Sequence, residues 1–99
     1  MVHHIVMWDF IDTLTQQEKD AAGEKIKKLL EDLKGKVEGL EKVEVITAPL
    51  ASSNRDIALI SILSSEEALS HYQTHPDHVA AGQFIKQVTC HRTCFDYIV

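Results

Sequence analysis

Two segments of this chain carry apolar side chains on both faces of an extended backbone. Asp56 to Leu63 is nearly continuous in apolar residues, interrupted after Asp56 only at Ser61, and Val2 to Phe10 has apolar residues at both even and odd positions. Because side chains alternate between the two faces of a strand, each segment needs a cover on both sides of its sheet. The pattern argues against a sheet with one face in water and predicts association through the sheet.

Helical periodicity follows the first predicted strand. Thr15 to Glu18 reads Thr-Gln-Gln-Glu, the form of a capping box, which marks the start of a helix. Apolar residues then recur at helical spacing and predict a long amphipathic helix that ends near Gly35 or Gly39: Ala22, Ile26, Leu29, Leu30, Leu33 and Val37.

A second helical region lies between predicted strands in the other half of the chain. Ser64 to Glu67 predicts another capping box, and Pro76 should end the short helix that follows at about His75. Further helical turns extend through Val88. The remaining strands are predicted at 41–47, ahead of the apolar segment, and at 90–99 at the end of the chain.

The order strand-helix-strand-strand-helix-strand predicts one α+β domain over residues 1–99. This is the ferredoxin-like βαββαβ arrangement, a four-stranded antiparallel sheet with helices on one face. The double-sided strands predict a homodimer packed sheet to sheet, which closes a dimeric α+β barrel. A monomer with an unusually apolar surface is the alternative.

Charge and processing signals narrow the expected partners and compartment. The net charge is −5, from 15 acidic and 10 basic residues, so the average field repels nucleic acid and anionic membranes. The apolar N-terminal segment lacks a basic region and a cleavage site, so we expect no signal peptide. Cys90 and Cys94 lie too far apart on one strand to bridge, and free thiols favour the cytoplasm. We interpret both as small buried side chains without a zinc or nucleophile motif.

Three histidines recur at spacings of four and three residues: His71, His75 and His78. On an unbroken helix they would form one stripe of possible metal ligands. Pro76 interrupts that helix, which favours structural roles instead, with His75 capping a helix end and His78 hydrogen-bonded inside. We therefore expect no metal site and no cofactor.

Three pieces of the chain resemble one protein family. Tyr72 to Val79 has the form Y-x-x-H-P-x-H-V, which resembles the signature of the stress-responsive A/B barrel (Dabb) family. His4 to Phe10 and Phe95 to Tyr97 resemble the first and last strands of that family. The resemblance covers essentially the whole chain and implies a dimeric α+β barrel.

The resemblance also implies site residues. In cyclase-like members a tyrosine and the second histidine of the H-P-x-H segment act together, and they match Tyr72 and His78. His4 and Asp96 match positions that face the same cavity. An imidazole can remove a proton from a carbon acid or phenol, while a phenolic hydroxyl donates to the developing enolate.

Other positions depart from the cyclase-like members. Ala22, Gly23 and Ile26 stand where those proteins have aromatic residues in the first helix, and Ile57 stands in place of a histidine. These departures predict a cavity of different shape and a different substrate. The residues expected to contact the substrate are His4, Val6, Trp8, Ile26, Leu59 and Asp96.

The sequence leaves three functional hypotheses. The leading one is a pocket for a small, partly apolar molecule, with His78 and Tyr72 as polar contacts and acid–base chemistry of the cyclase or isomerase kind. The second is a non-catalytic, stress-linked or assembly module whose pocket is filled by its own side chains: Trp8, Phe10, Ile26 and Phe84. The third is a cofactor-free or haem-dependent monooxygenase of the related dimeric fold.

Overall fold

A computed structural model describes all residues, 1–99, and contains four strands and three helices. In chain order these are β1 (Val2–Phe10), α1 (Gln16–Glu31), β2 (Leu40–Ile46), β3 (Ile57–Leu63), α2 (Glu66–Thr74), α3 (Pro76–Val88) and β4 (Thr89–Ile98). The strands form one antiparallel sheet in the order β2-β3-β1-β4. The predicted ferredoxin-like arrangement is confirmed, with every strand boundary within one residue of its prediction.

Helix α1 begins at the capping box that the sequence predicts. The Thr15 hydroxyl accepts from the Glu18 backbone N–H at 3.1 Å, and the Glu18 carboxylate accepts from the Thr15 N–H at 2.9 Å. The helix ends at Glu31, earlier than predicted, and the chain continues through turns to Gly35. Gly35 has a φ of +89°, a left-handed conformation that favours glycine.

The second predicted capping box is wrong by one residue. Ser65 rather than Ser64 caps α2, and its hydroxyl accepts from the Ala68 N–H at 3.1 Å. The third helical position is therefore an alanine, which has no carboxylate to return the hydrogen bond. Pro76 is the first residue of α3, a position where the missing N–H of proline costs no helical hydrogen bond. His75 caps this helix by accepting a hydrogen bond from the Asp77 N–H.

The helices cover one face of the sheet and leave the other face uncovered. The even-numbered residues of β1 from Val2 to Trp8 point toward the helices and are buried, and they pair in register with odd-numbered residues of β3. The hydrophobic core lies between this face and the helices. Its buried members are Val6, Trp8, Ile26, Leu30, Leu33, Val37, Leu40, Val45, Ile57, Leu59, Leu63, Tyr72, Ala81 and Ile85.

The opposite face of the sheet carries apolar side chains that no element covers. Phe95 is 64% exposed and Tyr97 is 39% exposed, whereas the central residues of this face are half-buried. The apolar members of this outer face are Ile5, Met7, Ile46, Ala58, Ile60, Ile62, Phe95 and Tyr97. None of the helices has the length and apolar character needed to cross a membrane.

Candidate functional site

A cavity of about 660 Å³ opens between the helix-facing side of the sheet, α3 and the first residues of β4. Its size falls in the range of small-molecule pockets. It has both apolar and polar walls. The lining residues are His4, Val6, Trp8, Leu59, Gln73, His78, Val79, Gly82, Gln83, Ile85, Lys86, Thr89, Cys90, His91 and Arg92.

Tyr72 and His78 meet beside this cavity, although six positions separate them in the chain. Tyr72 lies on α2 and His78 lies on α3, and their ring centroids are 4.4 Å apart. The break at His75 and Pro76 turns the chain between the two helices, because proline cannot continue α2 but can begin α3. The fold thus supplies the proximity that spacing alone does not.

The hydroxyl of Tyr72 is buried without a hydrogen-bond partner. The whole residue is 0% exposed, and burial raises the pKa of its hydroxyl. The group is therefore neutral and able to donate a hydrogen bond throughout the physiological pH range. Buried polar atoms usually have a partner, so this hydroxyl is a candidate contact for a bound molecule.

His78 stays neutral more readily than a free histidine. Burial lowers the pKa of its imidazole, and positive charge on His4, Arg92 and His75 acts in the same direction. A hydrogen bond with the Gln73 backbone opposes these effects without cancelling them. A neutral imidazole has a free lone pair, which is the form that removes protons.

His4 and Asp96 are directly opposed across β1 and β4. The carboxylate can only accept, so His4 donates from Nδ1 to Asp96 Oδ1. His4 is 2% exposed and its ring meets that of Tyr72 edge-on, with centroids 6.1 Å apart. Asp96 thereby fixes the ring orientation and tautomer of a buried histidine at the cavity wall.

The structure brings most of the sequence-predicted residues to one cavity. His4, Val6, Trp8 and Leu59 line it with His78. Tyr72 packs against the His78 ring behind that wall, and Asp96 does not line the cavity but contacts His4, which does. Ile26 does not line the cavity, because the buried face of α1 places it in the core at 0% exposure.

Two cations that were not predicted as site residues also line the cavity. Lys86 lies on α3 and Arg92 lies on β4, and neither forms a salt bridge. The spacing of Lys86 from His78 and Val79, eight and seven residues along a helix, could have placed it on the same face. Arg92 lies within a β-bulge, which has no reliable sequence signal.

The interpretation of the cysteines as buried side chains is wrong for Cys94. It is exposed, while Cys90 is half-buried at the cavity wall. The Cys94 side chain is exposed because no helix packs over the middle of the edge strand β4. The tertiary arrangement of the helices decides this exposure. Burial and the neighbouring Asp96 carboxylate raise the pKa of the Cys94 thiol, whereas Arg92 lowers it.

The register between β1 and β4 shifts between Met7 and Asp9. His91 lies opposite this irregularity with a φ of +54°, which is uncommon for a residue with a side chain. Its Nδ1 lies 2.8 Å from the Asp9 carboxylate. His91 and Arg92 both lie at this irregularity and both line the cavity.

A smaller cavity of about 300 Å³ lies beside the first half of α1. Its wall is mostly polar and contains none of the predicted site residues. It is lined by Phe10, Gln16, Lys19, Asp20, Gly23, Glu24, Thr47, Pro49 and Asp56. The convergence of aromatic, imidazole and cationic groups favours the larger cavity as the functional site.

Solved structures share this architecture over nearly the whole chain. A dimeric protein with a ferredoxin-like fold from Bacteroides fragilis is 32% identical, with a TM-score of 0.92 over 99% of this chain and 95% of that one. A dimeric ferredoxin-like protein from Thermobifida fusca is 26% identical, with a TM-score of 0.83 over 99% and 90%. A hydroxynitrile lyase from Passiflora edulis shares the fold at 14% identity, with a TM-score of 0.76 over 99% and 92%.

Comparison of the sequence with known protein families identifies the family of this chain. No curated protein matches the chain. The model of the stress responsive A/B barrel domain matches residues 2–99, which is almost the entire chain. The Tyr72–Val79 segment and the two terminal strands that carry the resemblance all fall within this match. The chain therefore belongs to the stress responsive A/B barrel domain (Dabb) family.

Proposed function

We propose that this protein binds a small, partly apolar molecule in the larger cavity and performs proton-transfer chemistry on it. The observation that carries the proposal is the buried, unpaired hydroxyl of Tyr72 beside the imidazole of His78. An unsatisfied buried polar group costs about 1–3 kcal/mol. Tyr72 lies behind the His78 ring and does not line the cavity, so the proposal requires the His78 side chain to shift when a ligand enters. A carbonyl or phenolic oxygen that then accepts from the Tyr72 hydroxyl relieves that cost.

The two side chains have different roles in the proposed chemistry. Neutral His78 removes a proton from the carbon next to a carbonyl or from a phenol, and becomes an imidazolium. Tyr72 donates to the oxygen on which negative charge develops. Return of the proton to another atom of the same molecule completes an isomerisation or cyclisation and restores His78.

The cavity walls favour a particular class of substrate. Val6, Trp8 and Leu59 supply an apolar surface that fits an aromatic ring or alkyl group. Lys86 and Arg92 line the cavity without an acidic partner in a chain of net charge −5. Unpaired cations attract anions, so we propose a carboxylate on the substrate.

We further propose that residues 1–99 form one domain that acts as a homodimer. The uncovered outer face of the sheet, which includes Phe95 and Tyr97, fits sheet-to-sheet packing, and the relatives from B. fragilis and T. fusca are described as dimeric. The helix-facing cavity lies on the other side of the sheet and stays open in such a dimer. Two free thiols favour the cytoplasm as its compartment.

An experiment with a defined probe tests the proposal. The probe is 3-benzoylpropanoate, which combines a ring, a ketone with exchangeable α-protons and a carboxylate. Incubation in D₂O with NMR detection should show deuterium entering the α-carbon faster with protein than with buffer. Replacing His78 by Ala should abolish the acceleration, and Tyr72→Phe should reduce it by about 10²-fold. Equal exchange with wild type and His78→Ala would overturn the role of His78.

The alternatives make different predictions. A module with a filled pocket leaves no space beside Trp8, and the open cavity of about 660 Å³ weighs against it. The Passiflora relative is named as a lyase and shares the fold, which is consistent with acid–base chemistry on this scaffold. Addition of haem tests the haem-dependent monooxygenase: a bound-haem absorbance spectrum would favour that reading over proton transfer.

A further inference from the structure

We propose that His4, Cys94 and Asp96 form a binding site for a divalent transition metal of the zinc class. The Nδ1, Sγ and carboxylate oxygen of these residues lie within 4.8 Å of one another. Sγ is 3.9 Å from the His4 Nδ1 and 3.6 Å from the Asp96 Oδ1. Tetrahedral zinc, with bonds of about 2.0–2.3 Å, holds such atoms roughly 3.3–3.6 Å apart, so small side-chain adjustments suffice.

Two adjacent strands hold the three ligands. His4 and Asp96 are directly opposed in register, and Cys94 is two residues from Asp96 on the same face of β4. Residues at this spacing share one face of a strand, and the diagonal neighbour across the ladder remains within side-chain reach. The backbone hydrogen bonds of the ladder therefore fix the relative positions of all three ligands before a metal arrives.

The donor set favours zinc and similar ions over calcium or magnesium. It combines a thiolate, an imidazole and a carboxylate, whereas calcium and magnesium select oxygen ligands. Three protein ligands leave a coordination position open to water or a ligand. Cys94 and Asp96 are exposed, which gives the ion a path from solvent on the face of the sheet opposite to the proposed dimer contact.

Binding requires a defined exchange of protons. Asp96 supplies a carboxylate, Cys94 loses its thiol proton, and His4 releases the proton on Nδ1 and takes the tautomer protonated on Nε2. The metal thus replaces the hydrogen bond between His4 and Asp96. The inference does not depend on proton transfer by His78, because none of its ligands is Tyr72 or His78.

Titration with Co²⁺ tests the site, because a thiolate bound to Co²⁺ gives a charge-transfer band in the near ultraviolet. The reduced, full-length chain in a non-thiol reductant should develop this band and saturate at one ion per chain. Zn²⁺ should then displace Co²⁺ and remove the band. Replacing Cys94 by Ser should abolish it, and Asp96→Asn should weaken the apparent affinity by at least about tenfold.

Cys90→Ser is the matched control. Cys90 lies on the same strand near a second imidazole and carboxylate, since its Sγ is 3.7 Å from the His91 Nδ1, which contacts Asp9. This variant should keep the band and the stoichiometry of wild type. Absence of the band in wild type, its persistence in Cys94→Ser or its loss in Cys90→Ser would overturn the proposed site.

Discussion

The hydroxyl of Tyr72 is buried and has no hydrogen-bond partner within the chain. Such a group destabilises the folded state relative to an apolar atom of the same shape, because water solvates it when the chain unfolds. The same hydroxyl is the donor of the proposed chemistry. Stability and function should therefore respond in opposite ways to its removal.

Replacing Tyr72 by Phe is expected to leave the free energy of unfolding unchanged or to raise it by about 1 kcal/mol, while proton exchange falls. Urea unfolding measures the first effect. Tyr97→Phe is the comparison, because the Tyr97 hydroxyl has a partner, the His3 Nδ1 at 3.2 Å, so its loss should lower the free energy of unfolding by about 0.5–1.5 kcal/mol. A loss above about 1 kcal/mol in Tyr72→Phe would reveal a structural partner for its hydroxyl.

His78 should make stability depend on pH on the acid side of neutrality. Burial lowers its pKa in the folded state, so as pH falls the unfolded chain takes up this proton first. Its contribution is complete above the ordinary pKa of 6.5 and is lost as pH falls through the lower folded pKa. His78→Gln should lose less stability than wild type between about pH 7.5 and about pH 5 in urea unfolding. An identical loss would show that His78 titrates as a free histidine.

At the scale of elements, the start of α1 depends on the capping box between Thr15 and Glu18. Replacing Thr15 by Ala removes the acceptor for a backbone N–H and should lower the free energy of unfolding by about 1 kcal/mol. Thr13→Ala is the matched control, since Thr13 is exposed just before the helix and should change stability by less than about 0.5 kcal/mol. Equal effects of the two substitutions would contradict the capping role.

The sequence predicts elements well because their signals are local. A short apolar segment with apolar residues on both faces predicted β1, and the break at Pro76 separated α2 from α3. The N-cap of α2 was assigned to Ser64 instead of Ser65, because serine is a preferred N-cap residue and both positions are serine.

The site was harder to predict, because its contacts depend on long-range register. His4 meets Cys94 and Asp96 across about 90 residues of chain, and no spacing rule gives that pairing. Ile26 was placed in the pocket by resemblance, but the rotation of α1 directs it into the core. Tyr72 and His78 were named correctly as neighbours only through the family signature.

For the whole molecule, the outer face of the sheet should govern assembly. Phe95 is 64% exposed on this face, with its ring centroid 5.9 Å from that of Tyr97. Phe95→Asp should shift a dimer to monomers in light scattering, because a charge would be buried without a partner. Leu50→Asp, on a loop at 78% exposure, should leave the mass unchanged. A wild-type monomer, or a dimer that survives Phe95→Asp, would contradict sheet-to-sheet packing.

Native mass spectrometry of the purified wild-type protein tests the central claim, which is that each protomer holds a small molecule beside Tyr72 and His78. The spectrum should show a dimer that binds 3-benzoylpropanoate or carries a co-purified organic molecule, one per protomer, which denaturation releases. His78→Ala should retain the dimer and lose most of the bound mass. A wild-type dimer that remains empty at saturating probe, or a His78→Ala variant that binds equally well, would contradict the account.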